Sequence, residues 1–447
     1  MDKPQSVDAT EVGRIGAQES DFSPRKLKIA AGVMAGQIFA TSILPFAAMS
    51  LVLLPMTKEF GWSRTEFSFA TTCIFFFGSV SLWPIGRIAD KIGVRPVLFF
   101  GTTAVGLATL AMSQQTKSLT MLYVLYALLG IFGSTGVVYM KIIAATFTKN
   151  RGKAMAILGA ESMAATALVP PMTNFILLNY GWRDLYIVYG VIILALVPVL
   201  YLTLEEPHRI AAGRAAAKVP PPALDGMTIG QALRDRVFWL AVLGGMAGMS
   251  VLTGMVPHMI PALIAKGFTQ TQAVATTSIG MLAGLVGNLA GGYAVDRVNS
   301  AKIGAPFALI SAAGAFLLLN VTSTSGGWPM LVAAVALGWF TFGAYRPMGT
   351  YFQTRFFGLR SFNEIAAVQF TIINPVSAFA PPLIGNIYDR THSYQIAFWM
   401  MVASGVFAAL IWLALPKYRF GTKVGADAHS PAEAAIENDT VLPGRAA

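Results

Sequence analysis

The stretch Gly86-Arg87-Ile88-Ala89-Asp90-Lys91-Ile92-Gly93-Val94-Arg95 joins two apolar runs, and Gly292-Tyr293-Ala294-Val295-Asp296-Arg297 repeats its core, with Asp296 lying 206 residues beyond Asp90. In each copy a glycine stands four residues before an aspartate, and a base follows the aspartate at once. A glycine there lets neighbouring helices approach closely, while the aspartate can accept bonds from helix N-termini or basic side chains. A single copy reads equally well as a charged stop at the end of a membrane span. Two copies at matched positions read as the two halves of an internal repeat.

Outward from these stretches the chain is poor in charge. Only 12% of its 447 residues are Asp, Glu, Lys or Arg, against roughly 25% in a soluble domain, and the mean hydropathy is +0.62. A water-soluble enzyme of this size could not cover its surface so sparsely, and a disordered chain needs the opposite composition. A membrane crossing takes about 20 apolar residues. With that window the first half divides into Ile29–Leu54, Glu66–Trp83, Val97–Met112, Leu119–Thr146, Ala154–Leu178 and Leu185–Leu204. The second half divides into Val237–Ala265, Thr271–Val295, Ile303–Val321, Met330–Gln353, Ile365–Tyr388 and Gln395–Leu415. The runs lack the alternation of a membrane barrel. The expected fold is therefore an all-α polytopic membrane protein, with twelve transmembrane helices in two six-helix bundles.

The expected organisation is an N-terminal tail (1–28), a first bundle (29–204), a linker (205–236), a second bundle (237–416) and a C-terminal tail (417–447). The first 28 residues are polar and contain no apolar core for a cleavable signal. In the linker, Pro220–Pro222 resists regular structure, and Thr228 has the chemistry of an N-cap for a short surface helix. Of the 32 Lys and Arg residues, 24 fall in the tails, the linker and the loops on the same side, and 6 fall in the opposite loops. This excess assigns both termini to the cytoplasmic side of a cytoplasmic membrane. The net charge of +11 then follows from topology. It implies anionic lipid headgroups as neighbours, with no nucleic-acid partner. Cys73 is the single cysteine and the four histidines are scattered, so neither a disulfide nor a metal site is expected, and no cofactor is implied.

The loop motif around Asp90 resembles that of the major facilitator superfamily, and the resemblance extends over roughly residues 29–415. Within it, Glu59-Phe60-Gly61-Trp62-Ser63-Arg64-Thr65, Thr148-Lys149-Asn150-Arg151-Gly152-Lys153-Ala154, Gly181-Trp182-Arg183 and Pro381-Pro382-Leu383-Ile384-Gly385-Asn386-Ile387-Tyr388-Asp389 are similar to the monocarboxylate-porter and oxalate/formate-antiporter branch. The resemblance implies a secondary transporter working by alternating access, acting as a monomer, with Gly86, Asp90, Lys91, Arg95, Gly292, Asp296 and Arg297 forming a conformational gate at the cytoplasmic seam. Two positions depart from the branch. Glu161 stands where a glycine is usual, and the eighth span lacks the customary base.

Some local features read as structural. Ser63-Arg64-Thr65-Glu66 and Ser361-Phe362-Asn363-Glu364 have capping-box spacing. In the eighth span, Gly280-x-x-x-Gly284 and Gly287-x-x-x-Gly291 permit close helix packing.

Ionisable groups inside spans are costly and are functional candidates. Arg346 lies near the middle of the tenth span on a stripe with Trp339, Gly343, Thr350 and Gln353. Its planar fork suits a carboxylate, and satisfaction by backbone carbonyls is the alternative. Lys141 and Glu161 read either as a structural ion pair or as an anion-binding base beside a proton-carrying acid. His258, between Pro257 and Pro261, reads either as a proton carrier or as a buried histidine bonded to backbone. Tyr345, Gln37, Gln369 and Asn374 are candidates for hydrogen bonds to substrate, and Asn374-Pro375 is the expected break in the eleventh span.

The expected function is transport of a small organic carboxylate with proton symport. Anion exchange is the runner-up and a non-transporting receptor a more distant alternative.

Overall fold

The computed structural model describes residues 23–39, 41, 43–136, 138–139, 142, 146, 151–204, 225–358 and 360–420, with side chains described for all of these except Asp90, residues 151–168 and Asn363. Ten helices in this set are long and apolar enough to cross a membrane. Leu119–Gly133 is a shorter apolar helix, and the run Arg151–Thr203 breaks at Gly181, where φ is 88°. Together these account for twelve crossings in two bundles.

Local chemistry sets the helix ends. Ser63 caps the second span Arg64–Ile92 through a complete capping box with Glu66. The span stops at Gly93, whose φ of 100° lies in the region that favours glycine, and the third span starts with the next residue. The second glycine of the motif is therefore the turn itself. Thr228 forms a capping box with Gln231 and opens the short helix Ile229–Leu233. The box expected at the eleventh span does not form, because Ser361 makes no side-chain cap bond to Phe362–Ala378.

The first, seventh and eleventh spans are each described as two helices. The first consists of Pro24–Phe39 and Ile43–Phe60, and the seventh of Arg236–Met255 and Met259–Ala265. The eleventh runs unbroken through Pro375 to Ala378 and resumes at Ala380. Its break thus falls after the expected Asn374-Pro375, at Phe379, where Pro381 and Pro382 occupy the first turn of the next helix and need donate no amide.

The first bundle is built on a core containing Met49, Phe67, Leu125, Tyr126, Tyr186 and Tyr189. The second has separate clusters around Phe238, Met348 and Phe356 and around Leu263, Leu318 and Leu331, the last of which takes in Leu51 from the first bundle. The glycines of the eighth span pack against the tenth. A Cβ on Gly287 would collide with the Phe340 carbonyl oxygen, and one on Gly291 would lie 2.5 Å from that of Ala344.

At the far end of the first bundle, two of the branch-like segments meet. Trp182 Nε1 donates to Glu59 Oε2 at 2.7 Å, and the Arg183 guanidinium pairs with Oε1 at 2.7 Å. The alternation of crossings puts Ser23 and Phe420 on one face, called here the terminal face, and residues 61–63, 266–269 and 392–394 on the opposite face.

Candidate functional site

The bundles are joined near the opposite face. Asp389, at the end of the eleventh span, accepts from the amides of Arg64 and Thr65 at 3.2 and 2.9 Å and from Thr65 Oγ1 at 2.6 Å. It thereby caps the second span from across the interface, where free amides and the helix dipole favour an anion. Gly385 allows this approach, since a Cβ there would lie 2.8 Å from Thr65 N. The Arg64 guanidinium lies 3.5 Å above the Tyr388 ring and donates to Tyr394 Oη. Below this, Thr72 Oγ1 donates to the Ala378 carbonyl at 2.7 Å, Ile260 N to Ser50 Oγ at 3.1 Å, and Gln270 to Asn174 at 2.8 Å.

His258 sits inside this seam, fully buried. Its Nε2 is 3.1 Å from the Pro381 carbonyl and 3.0 Å from Ser68 Oγ, and its Nδ1 is 3.2 Å from Tyr394 Oη. The carbonyl can only accept, which assigns the proton to Nε2. Nδ1 then accepts from Tyr394. Burial pushes the Tyr394 phenol up, against the opposing pull of Arg64, so it keeps the proton it donates. Neutral His258 is the third member of a chain running Arg64, Tyr394, His258, Pro381.

Arg346 lies elsewhere. It is exposed on the tenth span, Gly327–Phe357, roughly 28 Å from Gly327 at 1.5 Å per residue. The stripe that it shares borders the eighth span, through Trp339 at Gly280 and Gly343 at Gly284, and the eleventh, through Gln353 Nε2 donating to Gln369 Oε1 at 3.3 Å. Both of those spans also reach the first bundle, through Gln270 and Asp389. Arg346 therefore stands on the inter-bundle side, and among the described residues no carboxylate pairs with it.

The other candidates divide. Gln369 Nε2 is buried without a hydrogen-bond partner beside this stripe. Asn374 is half-buried on the same span, and half-buried Gln37 packs near Gly136 at the middle of the first bundle. Tyr345 points to another side of the tenth span, with its ring 6.1 Å from that of Trp412. Lys141 lies outside the described residues. Glu161 is on the helix Arg151–Thr203, and its side chain lies outside the described set.

At the terminal face the repeat motif holds no comparable seam among the described residues. Lys91, Asp296 and Arg297 are exposed, and a Cβ on Gly86 or Gly292 would meet nothing within 4 Å. Arg95 and Arg297 stack on rings of their own bundles, Tyr201 at 4.5 Å and Tyr293 at 4.9 Å. The side chain of Asp90 lies outside the described set. Among the described residues, the close approach expected at the two motif glycines is therefore absent.

Two bundles related by a repeated loop motif and joined near one face are matched by a family model, Major Facilitator Superfamily, over residues 33–329. The chain belongs to the Major Facilitator Superfamily. Among its relatives is mouse "Monocarboxylate transporter 11", 23% identical over 86% of this chain and 87% of that protein. The "Probable L-galactonate transporter" of Escherichia coli is 25% identical over 78% of this chain and 81% of that protein. Among solved structures, a bacterial homologue of the human lysosomal transporter Spinster, in an inward-facing and unoccupied conformation, superposes with a TM-score of 0.69 at 17% identity, covering 87% of this chain and 96% of that one. As a facilitator, this chain is a multi-pass membrane transporter.

In the sequence, Arg64 and Thr65 belong to the spacing of a local capping box, and Asp389 closes a branch-like segment at the end of the eleventh span. The signal that could have joined them was their shared placement at span ends on the same face, polar groups from opposite halves of the repeat.

Proposed function

We propose that this facilitator carries an organic carboxylate across the cytoplasmic membrane by alternating access, with proton symport. The observation that carries the reading is Arg346, an exposed guanidinium on the inter-bundle side of helices with no paired acid among the described residues. Its fork can hold both oxygens of a carboxylate. The names printed for the relatives, a monocarboxylate transporter and an L-galactonate transporter, support an organic acid. Lys141, Gln37, Gln369 and Asn374 would complete the polar contacts.

Glu161 is the preferred proton carrier. With the termini cytoplasmic, as the distribution of Lys and Arg supports, the sealed face is external and the crevice opens to the cytoplasm. The two copies of the loop motif would then close on each other when the external seam parts. A carboxylate-only exchanger is the second reading. It is favoured by His258, whose ring nitrogens are all engaged in the seam.

Uptake of candidate acids by proteoliposomes tests the proposal. Arg346→Ala should raise KM about a hundredfold, since a bidentate charge-assisted contact is worth about 3 kcal/mol. Normal transport by this variant would refute the binding role. Uptake accompanied by external alkalinisation marks symport, and counterflow that proceeds equally well without a proton gradient marks exchange.

A further inference from the structure

Along the second span roughly 15–27 Å below Arg64, the first bundle contains a cavity of about 260 Å³ among its first, second and fourth spans. Helical register fixes where it opens. Phe46 stands one turn below Ser50, which bonds to Ile260 of the second bundle. Phe75 and Ser79 continue the face of Ser68 and Thr72, which bond to His258 and Ala378. Both helices therefore turn the cavity toward the inter-bundle crevice, with the seam as its roof. Ser79 and Leu82 lie roughly 22 and 27 Å below Arg64 at 1.5 Å per residue, so the inner lip of the cavity is level with Arg346.

Among the described residues that line it, none carries an ionisable side chain. Two of the hydroxyls are turned into backbone, with Thr41 donating to the Gln37 carbonyl at 2.8 Å and Ser134 to that of Gly130 at 2.7 Å. Phe46 and Phe75 meet edge to face with centroids 5.2 Å apart. The second and fourth spans cannot close up further, because a Cβ on Gly130 would already lie 2.5 Å from the Ile74 carbonyl oxygen. An apolar cavity of roughly 150 Å³ is large enough for benzene.

We infer that this cavity receives the apolar body of the substrate, a ring or a branched alkyl group borne by the carboxylate that Arg346 binds. The inference rests on the carboxylate reading above. Uncharged walls give no return for stripping water from a second charge or from a row of hydroxyls. The preferred class is therefore a monocarboxylate with an apolar body, in place of a dicarboxylate or a sugar acid.

Calorimetric titration of the purified full chain in detergent with acetate, butyrate, hexanoate, benzoate and benzamide tests this. Affinity should rise roughly fourfold per methylene from acetate to hexanoate, and benzoate should bind at least tenfold more tightly than acetate. Ser79→Phe, which fills the cavity, should weaken benzoate and hexanoate about tenfold and leave acetate unchanged. Retained acetate binding reports that this variant folds. Phe75→Ala is the independent variant and should weaken benzoate about tenfold with acetate again unchanged. Affinity that is flat with chain length, or benzoate binding unmoved by both variants, overturns the inference. If Arg346→Ala weakens every acid while the cavity variants do nothing, the carboxylate reading stands and this one falls. If benzamide binds as well as benzoate, Arg346→Ala changes neither and Ser79→Phe still weakens both, the cavity stands and the carboxylate reading falls.

Discussion

Asp389→Ala should part the seam at the sealed face. The carboxylate takes three hydrogen bonds from the first turn of the second span, at 3.2, 2.9 and 2.6 Å. In the parted state the two amides and the Thr65 hydroxyl would turn to water. A hydrogen bond to a charged group contributes about 1.5–3 kcal/mol. Three that share one carboxylate do not add fully, so the cluster is worth about 3 kcal/mol. At 1.4 kcal/mol per tenfold, the ratio of sealed to parted molecules should fall by about two orders of magnitude. Leu51 is buried in the seam at 3% exposure and packs with the second-bundle cluster. In a Cys73→Ser, Leu51→Cys background, labelling by a membrane-impermeant maleimide reads the parted fraction directly. Asp389→Ala should speed labelling on the order of a hundredfold, and Asp389→Asn, which keeps an acceptor but loses the charge, should fall between. An Asp389→Ala rate less than about threefold above the parent would show that the capping contact does not hold the face shut.

Two further tests address the scaffold. Gly287→Ala puts a methyl into the Phe340 carbonyl and should lower the thermal midpoint by an amount reflecting about 1–3 kcal/mol, whereas Gly292→Ala, whose Cβ meets nothing, should leave it unchanged. The second test concerns pH. Burial would raise the Asp235 pKa, but the bonds from Arg419 and the Val237 amide outweigh this and hold it below the usual carboxylate range. A depressed pKa stabilises the folded state above the ordinary value of about 4 and loses that contribution as pH falls through the folded value. The amides of Arg419 and Phe420, bonded to the Arg355 carbonyl at 3.1 and 3.0 Å, should exchange faster as pH drops below about 4, after correction for intrinsic rates. Asp235→Asn should show that faster exchange already at neutral pH.

Much of this architecture was legible in the residues. Apolar run length, the doubled motif and the Ser63 and Thr228 caps are local or periodic signals, and each maps onto a helix or its end. The Gly287 and Gly291 pattern also held, because small residues spaced by four form a continuous groove on whichever helix carries them. The eleventh span misled because Asn374-Pro375 looks like a break in isolation. A proline inside a packed helix can be tolerated, whereas Pro381-Pro382 fits naturally into a fresh first turn. His258 was legible as a buried group but not as part of a seam, since its partners Ser68, Tyr394 and Pro381 are 190, 136 and 123 residues away.

The sequence by itself determined that the chain crosses a membrane, how often, and that its two halves repeat, because burial in lipid is decided by composition over twenty residues at a time. Which face is sealed was decided only by tertiary structure. So were the cross-bundle cap on the second span, the difference in surroundings between Arg346 and Tyr345, and the uncharged cavity behind Phe75. Each depends on which helix faces are brought together, and a rotation of one residue, about 100° around a helix, is enough to exchange a crevice for a packed core.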